Sequence, residues 1–540
     1  MKRLVFAGII VFGIITALKA QVDTLSIKLA TYGTLSSHEL NPLWSHANNW
    51  GLFDQYGKSN ALVYGGIKHT FINKSNFTLS TGFGGVMNAD IKRSFLHELY
   101  VKGEVWEIDY SMGMEAYSPI TYDEKLTSGF FLMSSNVRPI PRITFGFNDY
   151  IPLGFTKNWL EIKGGISQGV LNDDRGEKSN SASNVLLHEK WAYARLGNVK
   201  LQPYAGIVHS ALFGGTRPDG TKIPIDFWAT FMAKGSAKLG GGEETNAAGA
   251  HMGLWDFGLY YKHELLDLQF YWQKPFADAS GMKLWNGENK DYTIGILVYP
   301  KEMSWLKGIS VEVIKHDVQS DYGIPDPLYP VDYNGHKEGS IIWKDDIEGD
   351  FDNFMYEVFG ETRTGWTWPE VDRYMQVAMN EGYKFGGRDD YMNNGSYYTG
   401  WTYYGQSMGT SLYHTIETAD KYNSGKINKH GKFINNRVNA IHLGAEGSIT
   451  SSLSYLFKAS YTINKGSYAE EFAYRYSWER TPNYFYEDSK KQYYTMFGAV
   501  WKLEAVPGLA VNGTLAYDFG DLYESFGFRL GIVYRPKFNL

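Results

Sequence analysis

A period of two constrains this chain more than any other feature. From 525 to 534, Phe526, Phe528, Leu530, Ile532 and Tyr534 alternate with Ser525, Gly527, Arg529, Gly531 and Val533. The segments 509–519, 453–463 and 441–449 repeat the pattern, and 77–87, 106–114, 160–166, 255–261, 266–272 and 292–298 carry it upstream. Successive side chains of a strand point to opposite faces, so each segment predicts a strand with one apolar and one polar face. The polar face is Gly, Ser, Thr, Asn, Lys and Glu, as at Ser454, Lys458, Ser460 and Thr462, and suits a wet lumen. A soluble sandwich has shorter strands, ~5–6 residues, and its apolar face is the dry one. Strands of ~9–11 residues with short turns, as at 262–264 and 504–508, and long polar loops elsewhere describe an all-β fold, a transmembrane antiparallel β-barrel. At ~28–32 residues per strand and loop, the chain accommodates about 16–18 strands.

Tyr and Trp, 40 and 16 residues, together outnumber the 52 Lys and Arg. Such amphipathic rings belong at membrane–water interfaces, and Trp106, Trp255, Trp272, Tyr461, Tyr517 and Tyr534 stand at predicted strand ends. A mean hydropathy of −0.34 excludes a bundle of membrane-spanning helices. A net charge of −6 lacks the basic footprint that nucleic-acid phosphates require. Without Cys there is no disulfide framework, thiolate nucleophile or zinc–thiolate site. Met1-Lys2-Arg3 precedes an apolar run over 4–15, the pattern of a secretory signal too short to span a bilayer, with cleavage expected between Ala20 and Gln21. Residues 1–20 are therefore expected to be a signal peptide and 21–540 a single outer-membrane barrel domain. A closed barrel has no sheet edge to pair, so a monomer is expected.

Polar loops are predicted at about 171–184, 214–250, 317–353 and 361–437, with short helices within 227–238 and 370–380. The acidic run from Asp345 to Asp352 has oxygen ligands suited to calcium, but lacks the EF-hand spacing and is expected to be a solvated loop. His188, His209, His251, His263 and His442 are scattered, and no nucleophile elbow, phosphate loop or metal-binding pair appears. No enzyme activity, metal or cofactor is expected. The run 389–404 holds Tyr391, Asn393, Asn394, Tyr397, Trp401, Tyr403 and Tyr404. Tyr and Trp faces stack on pyranose rings while amides and carboxylates bond sugar hydroxyls. The same rings also suit an interfacial girdle around an Asn394-Gly395 hairpin turn, and the residues alone leave both open.

Several stretches, taken together, resemble the capsule assembly Wzi family of outer-membrane proteins. They are 135–143 (Ser135-Asn136-Val137-Arg138-Pro139-Ile140-Pro141-Arg142-Ile143), 188–196, 206–215, Asp390-Tyr391-Met392-Asn393-Asn394-Gly395 with Gly400-Trp401-Thr402-Tyr403, and Asn435-Asn436-Arg437-Val438. Phe213, Asp291-Tyr292 and Thr410-Ser411 depart from the family pattern. The resemblance implies a barrel of 18 strands with long extracellular loops, a small periplasmic helical element and a lumen largely blocked by folded-in loops. It implies a lectin-like protein that anchors or organises capsular or exopolysaccharide at the cell surface without catalysis. A porin-like diffusion channel is the alternative, since a barrel this wide can leave an aqueous pore. Expected partners are the polysaccharide, outer-membrane lipid and, during biogenesis, the barrel-assembly machinery, which reads a terminal aromatic such as Phe538 or Tyr534.

Overall fold

The computed structural model describes residues 24–538 except 121, 177–180, 198, 240–247, 278–281, 283, 285–289, 320–328, 339–341, 343–346, 348, 372–373, 376–389, 424–430 and 472–483. The expected signal segment and its Ala20–Gln21 junction lie outside these residues. Eighteen antiparallel strands form one closed barrel. The first nine are β1 (Thr24–Ser36), β2 (Ser59–Lys74), β3 (Phe77–Asn88), β4 (Phe95–Val105), β5 (Ile108–Met114), β6 (Arg142–Pro152), β7 (Leu160–Leu171), β8 (Val185–Leu196) and β9 (Leu201–Phe213). The rest are β10 (Ala250–Lys262), β11 (Leu266–Phe276), β12 (Tyr292–Pro300), β13 (Gly308–His316), β14 (Val438–Ser448), β15 (Leu453–Asn464), β16 (Lys490–Lys502), β17 (Leu509–Gly520) and β18 (Ser525–Tyr534). Each strand pairs with the next, and β1 pairs with both β2 and β18, which closes the sheet and removes its edges.

The two faces follow the alternation. On β18, Phe526, Phe528, Leu530, Ile532 and Tyr534 are exposed on the outside, while Ser525, Gly527, Gly531 and Val533 are buried inside. So broad an apolar exterior is a lipid-facing surface. Rings border it at both ends. Tyr461, Tyr493, Phe519 and Tyr517 stack in a ribbon, with centroids 4.8, 4.9 and 5.1 Å apart in turn. Trp501 and Tyr534 stand at the opposite end. From Tyr493 to Trp501 is about 27 Å along the strand, which tilt shortens toward the ~25 Å apolar band of such barrels. No helix among the described residues is long and apolar enough to cross a membrane; the chain crosses with strands.

The strands meet short turns at one end, together with the start of β1 and the end of β18, and long excursions at the other. In outer-membrane barrels the short-turn end is periplasmic. There, helical structure among the described residues is the single 3-10 turn Gly154–Thr156; the helices Phe227–Met232 and Phe351–Phe359 lie in the long excursions. The helix expected over 227–238 stops at Met232, because Ala233 adopts φ 50 and caps it. Most of the one expected over 370–380 lies outside the described residues. Trp106, expected at the start of a strand, instead occupies the two-residue turn before β5 with φ 54, its ring exposed.

The core lies inside the barrel. The described residues of 37–58, 115–141 and 390–437 fold into the lumen and pack a cluster that includes Trp44, Leu126, Leu132, Tyr391, Trp401 and Phe433. A second, smaller cluster gathers Tyr329, Phe354, Met355 and Val371 around the helix Phe351–Phe359, which Asp350 caps at its start. In the acidic run, Asp352 accepts from the N–H groups of Gly365 and Trp366, both at 2.8 Å. Asp345, Asp346 and Glu348 lie outside the described residues.

Candidate functional site

The inward segments are fastened to the wall by wall side chains that meet their backbone and side-chain groups. Asp518 on β17 accepts from Leu43 N at 2.7 Å, and Ser460 on β15 accepts from Trp44 Nε1 at 3.1 Å. Tyr122 donates to both oxygens of Asp256 on β10 at 2.6 Å, and Tyr193 donates to the same carboxyl at 3.0 Å. The turn 123–128 is held from several strands: Glu312 on β13 accepts from Ser128 N at 2.6 Å, His442 on β14 bonds Leu126 O at 2.9 Å, and Lys458 on β15 donates to Thr127 O at 3.0 Å. Buried polar groups are affordable only when paired, and here each wall group meets a plug group.

The aromatic, amide-rich run lies across the top of this plug. Tyr391, Tyr397, Trp401 and Tyr403 are each at most 2% exposed. Their polar atoms are used internally: Tyr391 OH donates to Pro275 O (3.3 Å), Tyr397 OH to Gly214 O (3.2 Å), Trp401 Nε1 to Leu132 O (2.7 Å) and Tyr403 OH to Asn172 Oδ1 (2.7 Å). Asn393 clamps Phe433 through both its N–H and C=O at 2.8 Å. Asn394 Oδ1 accepts from Ser396 N (2.9 Å) and Tyr397 N (3.2 Å), a local turn rather than the hairpin turn that the girdle reading placed at Asn394-Gly395. Four of the seven residues singled out in the sequence thus serve as plug core. Among the rings of this run, Tyr398 and Tyr404 reach solvent, at 41% and 40% exposure.

Tyr404 stands apart in its backbone. It turns the hairpin between the short strands Thr402–Tyr403 and Gln406–Ser407, with φ 50 at Tyr404 and φ 76 at Gly405. Positive φ at both central positions is the type I′ pattern, which favours Asn or Gly at the first. A bulky ring there is strained, and such strain concentrates at functional positions. The conformation is fixed by Asp173, whose Oδ2 accepts from Tyr404 N at 2.9 Å and which is itself paired with Arg175 at 2.6 Å. The Arg138 guanidinium lies 4.6 Å from the Tyr404 ring centroid and 3.5 Å from that of Phe95. Burial pushes the Arg138 pKa down, against the charges of Tyr404 and Asp54, which raise it. Exposed Asn172 accepts from the neighbouring Tyr403 OH at 2.7 Å. The patch combines one presented ring, a guanidinium, a carboxylate and an amide, chemistry that can stack on a pyranose and bond its hydroxyls.

Arg138 belongs to the 135–143 stretch and Asn172 and Asp173 to the loop at 171–184, but no sequence spacing joins them to Tyr404. The histidines also differ from their scattered appearance in the sequence. The register of β8, β9 and β10 brings His209 Nε2 within 3.0 Å of His251 Nδ1, with the His188 ring 6.2 Å from His209. Among the described residues, no three His, Asp or Glu side chains are arranged to hold a metal ion.

The fold is similar to that of Wzi from Escherichia coli, an outer-membrane protein involved in group 1 capsule assembly and a carbohydrate-binding β-barrel. The identity is 11% over 98% of this chain and 86% of that one, with a TM-score of 0.50. Two Pseudomonas aeruginosa proteins, OccK5 (OpdH) and OprD, align over 96% of this chain and 98% and 97% of theirs, at 7% and 9% identity and TM-scores of 0.45 and 0.44. No family sequence model matches the chain, and no curated protein matches it. At this identity the likeness to Wzi establishes the fold, an outer-membrane barrel of eighteen strands.

Proposed function

We propose that this barrel is a surface glycan-binding protein that holds capsular or exopolysaccharide at the outer membrane, without turning it over. The observation that carries the reading is the filled lumen. Three segments are hydrogen-bonded to the wall, at β10, β11, β13, β14, β15 and β17, an arrangement that suits a platform better than a diffusion channel. The platform presents Tyr404 in a strained turn held by Asp173, with the Arg138 guanidinium against its ring. The sequence resemblance to capsule assembly proteins points the same way.

The test is glycan-array binding by detergent-purified protein, with Tyr404→Ala as the variant. Loss of one stacking ring is worth ~1 kcal/mol or somewhat more, so affinity is expected to fall about tenfold. Unchanged binding by the variant, or steady large conductance of the wild-type protein in planar bilayers, overturns the reading.

A further inference from the structure

The periplasmic mouth of the barrel holds a chamber of ≈ 940 Å³. Trp44 and Asn48 of the first inward segment form its ceiling, β1, β2, β4 and β14 to β18 its walls, and the turn residues near 307 and 448–452 its rim. Eight Lys and Arg side chains line it against three Glu, in a chain whose net charge is −6. The positive charge is local to this chamber.

Three of the cations lie over rings and contact no carboxylate among the described residues, although Lys458 also donates to the Glu124 and Thr127 carbonyls and Arg529 to Ser45 O and Thr514 Oγ1. Lys28 Nζ lies 4.6 Å from the centroid of Tyr64, Lys458 Nζ 4.7 Å from Trp44, and Arg529 Cζ 3.8 Å from Phe53. Among the described residues none of the three forms an ion pair. Two of the chamber's three carboxylates are taken by other chamber cations: Glu98 accepts from Tyr64 OH at 2.8 Å and Lys68 at 3.5 Å, and Glu446 faces Lys125 at 3.8 Å; the third residue, Glu124, meets Lys458 through its backbone carbonyl. An aromatic face attracts a cation without neutralising it. Enclosed charge without a counter-ion is costly, and an anion entering the chamber relieves that cost. Asn48 adds a second deficit, because its Nδ2 and Oδ1 are buried with no hydrogen-bond partner among the described residues.

We infer that this chamber binds a short anionic glycan, sugar residues bearing carboxylate or phosphate groups, admitted from the periplasm. These cations stand on β15, β18 and β1, along one arc of five neighbouring strands, which matches several charges along a chain better than one ion. A concave enclosure of this volume admits an oligosaccharide and excludes a folded protein surface. Ser448, Ser451, Ser452 and Ser454 at the rim supply hydroxyls for neutral sugar positions. This site is separate from the Tyr404 cleft and does not depend on it.

The experiment titrates the purified full-length barrel, in neutral detergent, with trigalacturonate, maltotriose and tripolyphosphate by calorimetry. Trigalacturonate is expected to bind at least tenfold tighter than either other probe and to weaken as salt rises. Lys458→Gln and Lys28→Gln are each expected to weaken it at least tenfold, whereas Tyr404→Ala leaves this binding intact. Lys458 also holds the Glu124 and Thr127 carbonyls, so Lys28→Gln, whose cation rests on Tyr64 alone, decides the matter if the other variant misfolds. No saturable trigalacturonate binding, equal binding of maltotriose or tripolyphosphate, or unchanged affinity in a folded Lys28→Gln barrel overturns the proposal. Loss on Tyr404→Ala but not on Lys28→Gln assigns the binding to the outer cleft and also overturns it.

Discussion

Gly444→Ala tests whether the plug is a unit that can be unfastened while the barrel stays closed. Gly444 lies on the inner face of β14 directly beneath the turn 123–128. A Cβ at this position would overlap the Leu126 carbonyl oxygen and approach its carbonyl carbon and Cα to 2.8 and 2.9 Å. All three are backbone atoms, so no rotamer change relieves the clash, and the turn has to retreat by about 1 Å to regain ordinary contact. Retreat breaks the bonds from Leu126 O to His442 (2.9 Å), from Thr127 O to Lys458 (3.0 Å) and from Ser128 N to Glu312 (2.6 Å). At ~1 kcal/mol for the bond to the imidazole and ~2 kcal/mol for each of the other two, docking loses about 5 kcal/mol. Replacing a strand Gly returns up to ~1 kcal/mol. The net of about 4 kcal/mol raises the undocked population roughly a thousandfold. Hydrogen exchange followed by mass spectrometry reads this directly: amides over 122–133 are expected to lose protection by that factor while β14 and β15 stay protected. Gly513→Ala is the control, since a Cβ there meets nothing within 4 Å. Wild-type protection of 122–133 in a folded Gly444→Ala barrel refutes the reasoning, and collapse of the whole barrel refutes the separability of plug and wall.

Two further outcomes are expected. Leu530→Arg places a charge on the exposed outer face of β18 and should destabilise the barrel in lipid vesicles by ~2–4 kcal/mol in urea unfolding; an unshifted midpoint denies that this face meets lipid. At the root of the 317–437 excursion, burial pushes Asp291 and Asp390 up to about 6, although the N–H groups of Val318 and Gln319 and the amides of Asn436 and Asn393 pull them down. Asp317 beside them, although burial raises it, is held at about 2 by Lys465 and Asn439. The first two keep their protons when folded at pH values where the unfolded chain has lost them. Docking therefore weakens as pH rises from about 4 to about 6, by about 3 kcal/mol for the buried Asp291. Asp317 acts in the opposite sense, and its contribution is lost as pH falls from about 4 toward 2. Protection at 318–319 and 390–393, corrected for intrinsic exchange, is expected to peak near pH 3–4; a continuous rise to pH 7 contradicts it.

The strands were legible because lipid is a uniform solvent that demands the same face from every strand. The alternation over 525–534 coincides with β18, and that over 441–449 differs from β14 only by a shift at its ends. The plug is different. Its partners lie far off in the chain, as Leu43 with Asp518, Ser128 with Glu312 and Trp401 with Leu132 do, and no local period encodes them. The run 389–404 shows the cost. Tyr, Trp and Asn are the groups of a sugar platform, of a girdle and of a hydrogen-bonded core alike. What assigns Tyr391, Tyr397, Trp401 and Tyr403 to the core is a set of wall, loop and plug groups far off in the chain: Pro275, Gly214, Leu132 and Asn172. What leaves Tyr404 outside is a two-residue turn.

Filling the lumen has a consequence for both ends of the barrel. In an open pore, one field runs through the channel and a charged lining at one mouth acts on whatever passes to the other. Here the turn 123–128 and the helix Leu43–His46 stand between the two mouths, so each end has its own electrostatic environment. In the outer site Asp173 pairs with Arg175, and Arg138 lies over the Phe95 and Tyr404 rings. In the inner chamber Lys28, Lys458 and Arg529 lie over rings, with no ion pair among the described residues. The segment that divides them is fastened to both: Lys458 touches Trp44 in the chamber and the 124–127 carbonyls of the plug. An anion that draws Lys458 toward the chamber pulls on the same turn that Gly444→Ala pushes. Trigalacturonate added to the wild-type barrel should therefore lower protection over 122–133 in the same direction as that substitution, and protection that rises instead would mean the chamber tightens the plug it sits beneath.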